Sequence, residues 1–114
     1  MTTVTLWVDR RGRVEAYAAI GHAGFAQEGE DIICAGVSAL TQAAVNALER
    51  TAGKPPHVVI RPGLLYVRVP KGIARLKRHD SQVIVDMMAQ GVQDIARAYP
   101  AYVRVLWKEK RCKA

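Results

Sequence analysis

Residues 3–20 carry two alternating apolar runs on either side of a tight polar tetrad, and that pattern commits the chain to a sheet from its first residues. Val4, Leu6 and Val8 fall on one side of a period-two strand, with Thr3, Thr5 and Trp7 on the other. Val14, Ala16, Ala18 and Ile20 repeat the alternation. Between the runs, Asp9-Arg10-Arg11-Gly12 supplies turn chemistry, with Gly12 free to take positive φ. The unit reads as an antiparallel hairpin.

The period then changes. Residues 23–30 hold no sustained repeat, carry Gly24 and Gly29 near their ends, and read as a mobile loop. Asp31 reads as the N-cap of a helix over 32–50, with Ile33, Val37, Leu40, Ala44 and Leu48 at helical spacing. Ala35, Ala39, Ala43 and Ala47 occupy its other faces, which predicts burial over most of its circumference. Gly53 and Pro55-Pro56 end it. A second hairpin follows, 57–61 and 64–69 around Pro62-Gly63. After a basic connector, Ser81 reads as the cap of a helix over 82–98, striped by Ile84, Met88, Val92, Ile95 and Tyr99 and stopped by Pro100. Residues 102–107 read as a last strand.

The order ββαββαβ predicts an α+β fold: a two-layer sandwich, mostly antiparallel sheet, both helices on one face. Residues 1–114 read as a single domain with a short basic tail, 108–114. Trp7, Tyr17 and Tyr66 are expected on the helix-free face, where a second subunit would cover them.

A formal charge of +7 and a pI near 9.9 suit polyanionic partners, RNA among them. The cations are scattered, however, with modest clusters at Arg75-Lys77-Arg78-His79 and Lys108-Lys110-Arg111-Lys113, each read as solvated surface. One phenylalanine makes a poor stacking platform for single strands, so direct RNA binding has charge but no motif behind it. No apolar run is read as long enough to cross a bilayer and no secretory signal opens the chain, so no membrane partner is expected and a cytoplasmic protein is. There Cys34 and Cys112 would be free thiols, Cys112 an incidental one in the tail. His22, Cys34, His57, His79 and Cys112 show no metal-ligand spacing, and no phosphate loop or dinucleotide fingerprint occurs. Neither a metal nor a cofactor is expected.

The chemistry gathers between His22 and Ser38. A thiol attacks as thiolate, and a cysteine in a first helical turn has unpaired backbone N–H groups and the dipole's positive end in its favour. With Asp31 as N-cap, Cys34 would stand there, and the same N–H groups could hold an oxyanion. His22 ends the second alternating run, after Gly21, where a sharp turn could bring it to the thiol as general base. Gly36 removes bulk two residues from the sulfur, and Ser38, one turn on, could orient the imidazole or bond back to the helix. Against this stand plainer readings. A cysteine near a helix start is ordinarily a small apolar residue, a strand-end histidine an ordinary polar one, Asp31 only a cap, and Ser38 only a packed serine. The residues alone leave both readings open.

Gly21-His22-Ala23, a short loop, and then Gly29-Glu30-Asp31-Ile32-Ile33-Cys34-Ala35-Gly36-Val37-Ser38 resemble the signature of the bacterial ribosomal-processing cysteine protease family. The resemblance runs over nearly the whole chain. It implies a Cys34–His22 dyad, with Asp31, Ser38, Gly21, Gly29 and Gly36 in supporting places. It implies a substrate, the N-terminal extension of a large-subunit ribosomal protein, cut after paired phenylalanines and before small residues. It also implies homodimers, and a loop ending at Gly29 that moves to admit the peptide. Gly36 departs from the family's usual alanine. The competing reading is a non-catalytic ribosome- or RNA-associated binding module.

Overall fold

The structure, a computed structural model, describes residues 1–21 and 28–109, with backbone alone for 28–31. The elements are β1 (Thr2–Val8), β2 (Val14–Ile20), α1 (Glu28–Thr51), β3 (His57–Arg61), β4 (Leu64–Arg68), α2 (Arg75–Ala98) and β5 (Val103–Glu109). They form one five-stranded sheet in the order β3-β4-β2-β1-β5. Three strand pairs are antiparallel, and β1 with β5 is parallel because α2 carries the chain back to its starting end. This is the expected α+β sandwich.

Both helices lie on one face. Val4, Leu6, Tyr17 and Val67 from the sheet pack into one core with Val37 and Leu48 of α1 and Val85, Met88 and Val92 of α2. The helices approach closely where Gly91 faces Leu40; a methyl group there would stand 2.9 Å from Leu40 Cδ1.

The strand faces differ from simple alternation. Trp7 pairs with Ala16 and Val8 with Val14, so Glu15 is an extra residue in β2. The bulge moves Val14 to the helix side, whereas Ala16 and Ala18 point the other way. Tyr17, expected on the helix-free face, is instead fully buried beneath α1, its hydroxyl donating to the Thr41 carbonyl at 2.8 Å. Burial without a counter-charge pushes that hydroxyl's pKa well above the ordinary tyrosine value. Trp7 and Tyr66 do stand on the helix-free face, meeting edge to face with ring centroids 5.9 Å apart over the small side chains of β2.

Both helices start earlier than their caps suggested. α1 opens at Glu28, so Asp31 lies inside it rather than capping it, and Gly29 sits in the first turn rather than at a loop end. Acidic residues 28, 30 and 31 suit a helix start through the dipole, which lets the helix extend upstream. α2 begins at Arg75 behind Ala74, with no side-chain cap. Ser81 is buried mid-helix and donates to the Lys77 carbonyl at 2.9 Å, a back-bond that lets the helix pass through it.

α1 is not buried all round. Ala35, Ala39 and Ala43 are exposed, because among the described residues α1 packs against the sheet and α2 on its other sides; alanine tolerates this through its helix propensity. Contrary to expectation, Ile32–Thr51 has the length and mean hydropathy, 1.3, of a membrane-crossing helix. Its branched residues Val37, Val45 and Leu48 sit in the core beside that alanine face, and a core helix meets the same criterion.

Candidate active site

The sheet register brings three chain segments to one end of the molecule. Thr3 pairs with Ile20, and Ile20 with Leu64, so the start of β1, the exit of β2 and the β3–β4 turn lie side by side. Gly21 donates its N–H to the Gly63 carbonyl at 3.0 Å. Gly63 has φ +72°, and a Cβ there would stand 2.8 Å from the Gly21 carbonyl oxygen. Gly21 is held as tightly on its other side, where a Cβ would meet Thr2 Oγ1 at 2.7 Å. That same hydroxyl is 3.0 Å from Cys34 Sγ. Thr2 therefore bridges the thiol of α1 and Gly21, the residue that follows β2.

From the half-buried, free thiol of Cys34 a groove of about 840 Å³ runs between α1 and the outer strands. Val37, Ser38, Thr41 and Val45 form the helix wall; Val58, Ile60 and Leu65 form the sheet wall. Thr41 keeps its polar atom out of the way by donating to the Val37 carbonyl at 2.9 Å. The groove is thus mainly apolar, with its reactive group at one end, and large enough for apolar side chains of a bound chain.

The residues singled out from sequence divide. Cys34, Gly21 and Ser38 meet at the groove, Ser38 one turn from the thiol and exposed. His22 lies outside the described residues, as do the side chain of Asp31 and Cys112. Gly36 does not open space at the sulfur. Two residues on, it stands roughly 200° round the helix and faces α2, where a Cβ would meet Ile95 Cδ1 at 3.6 Å. Because α1 starts at Glu28, Cys34 is its seventh residue. Its neighbourhood lacks the unpaired N–H groups of a first turn, so helix-terminal stabilisation of a thiolate or an oxyanion, expected from an Asp31 cap, does not apply.

Thr2 and Gly63 were missed. A threonine opening a strand and a glycine in a hairpin turn are ordinary locally; only the register shows them converging. Either Thr2 or Cys34 can donate in their contact, but only the hydroxyl can once the sulfur is deprotonated. Thr2→Val keeps the buried shape and removes the hydroxyl. It is expected to slow iodoacetamide alkylation of Cys34 about fivefold, the equivalent of one ordinary hydrogen bond, in a Cys112→Ser background. Thr2→Ser should retain the wild-type rate, and an unchanged rate in Thr2→Val would remove the hydroxyl from the account.

A free thiol at the head of an apolar groove, beside two backbones locked by glycine, is the frame of a thiol-dependent hydrolase acting on an extended chain. The model of the cysteine protease Prp family matches residues 1–104, and the chain belongs to that family. It is a cysteine protease, a hydrolase of peptide bonds. It is 36% identical over 87 residues to the ribosomal processing cysteine protease Prp of Bacillus subtilis, covering 75% of this chain and 78% of that one. The Staphylococcus aureus Prp crystal structure with a substrate peptide superposes with a TM-score of 0.81 at 27% identity, covering 95% of this chain and 100% of the other. A second S. aureus structure, with a covalently linked product peptide, gives 0.78 at 28% identity over the same shares.

Proposed function

We propose that the chain removes the N-terminal extension of a large-subunit ribosomal protein, with Cys34 as nucleophile and His22 as general base. The observation that carries this reading is the free Cys34 thiol at the head of the groove, joined through Thr2 to Gly21, the chain neighbour of His22. In the reaction, the imidazole of His22 takes the thiol proton as Sγ bonds to the scissile carbonyl carbon. Collapse of the tetrahedral adduct breaks the C–N bond, and the proton passes to the departing amine. Water then hydrolyses the thioester and restores the thiol. The apolar walls suit phenylalanine side chains preceding the cut.

The test is incubation with a ribosomal protein bearing such an extension, followed by intact mass. Loss of the extension's mass is expected; an unchanged substrate would refute its identity. The same reading has the chain paired as a homodimer across the helix-free face, where Ile20 is 53% exposed and Trp7 and Tyr66 lie. Sedimentation that finds only monomer at micromolar concentration would remove that part.

A further inference from the structure

We infer that the pole of the molecule opposite Cys34 binds the phosphate backbone of RNA. β1 and β5 run away from the thiol end, and β2 returns to it. The β1–β2 turn, the C-terminus of α1, the start of β3, the end of β4 and the start of α2 therefore converge at the far end. Cations scattered through the sequence meet there. Arg10 and Arg11 come from the turn, Lys54 follows α1, Arg68 and Lys71 leave β4, and Arg75, Lys77 and Arg78 open α2. All are exposed, and none makes an ion pair among the described residues.

Two local features go beyond surface charge. Lys54, His57, Arg68 and Lys71 line a hollow of about 480 Å³. Lys54 is drawn to the Lys71 carbonyl at 3.1 Å, and Lys77 Nζ lies 2.6 Å from where a Cβ on Gly53 would stand. Lysines from separate segments thus gather at the Gly53–Lys54 turn, and none of them is in an ion pair among the described residues. The second feature is the start of α2, which has neither a side-chain cap nor an acidic residue in its first turn. Three cations there oppose the positive end of the helix dipole. A phosphate anion would relieve each of these conflicts at once.

A lipid surface fits less well. It calls for a band of apolar side chains beside the cations, and Leu76 is the lone exposed large one in the first turn of α2. The choice of RNA as the polyanion rests on the ribosomal substrate proposed above. With the peptide groove at the other pole, both partners can be held together.

The test uses the full chain and a fluorescein-labelled RNA hairpin, read by anisotropy over a salt series. Wild type is expected to bind, with affinity falling steeply as salt rises. Lys54→Glu with Lys71→Glu should weaken binding about tenfold or more. Arg97→Glu with Arg104→Glu, the same charge change near the thiol end, should have less than about a third of that effect. Short-peptide cleavage should be unchanged in the Lys54/Lys71 pair. Equal losses in the two pairs, absence of binding at physiological salt, or capture by phosphatidylglycerol-containing vesicles without RNA binding would each overturn the inference. Failure of wild type to cleave the ribosomal protein strikes the proposed substrate instead, and the anisotropy reports RNA binding independently.

Discussion

Cys34→Ala should lower cleavage of a peptide spanning a Phe-Phe-Ala junction by about ten-thousand-fold or more, while the protein stays folded. The sulfur is half-buried at the head of the groove, and its one described polar partner, Thr2 Oγ1, lies beside it. Removing it deletes the atom that, in the proposed mechanism, bonds the scissile carbon. The fold has little to lose, since the core contacts of this part of α1 belong to Ile33 and Val37. The midpoint of thermal unfolding should therefore move by no more than a few degrees. With His22 as the proposed base, His22→Ala should fall nearly as far, and the double variant barely further, because a nucleophile and its base act as a unit. Wild-type turnover by Cys34→Ala on this peptide would mean that the reactive group is elsewhere.

Gly63→Ala should damage both stability and activity, in a way that a matched control separates. Gly12 and Gly63 have nearly equal positive angles, φ +77° and +72°, but nothing lies within 4 Å of a Cβ at Gly12. Gly12→Ala should thus incur only the left-handed backbone penalty, about 1–2 kcal/mol. At Gly63 the added methyl also drives into the Gly21 carbonyl oxygen, a backbone atom that cannot rotate away. The variant is expected to lose about 1–3 kcal/mol more than Gly12→Ala by chemical denaturation. Relief of the clash must push Gly21 away from Gly63 and disturb its packing on Thr2. Peptide cleavage should accordingly drop in Gly63→Ala and remain at wild type in Gly12→Ala. Equal stability losses with equal activities would show that the close approach of these two backbones does not matter to the site.

The sheet and its elements were largely legible because side-chain period is a local property. Strand and helix need only their own residues to declare an apolar face, and Gly53 and Pro100 punctuate without help from the rest of the chain. Local reading failed where a competing interaction had a distant or subtle partner. Asp31 and Ser81 are good capping residues, yet upstream residues were also able to start a helix, and a cap preference is worth only about 1 kcal/mol. Tyr17 was assigned to the wrong face because the bulge at Glu15 shifts the register, and one inserted residue inverts every later side chain.

By itself, the amino-acid order determined the sequence of elements and the two-layer class, and it set a histidine and a cysteine at either end of a short segment. Each is encoded in spacing along the chain. Only the tertiary structure decided that Thr2 and Gly63 crowd the thiol end and that α1 leaves a groove against β3 and β4. It also decided that cations remote in sequence share the opposite pole. Those facts depend on strand order and direction, which fold residues far apart along the chain into contact, and no local pattern carries that information.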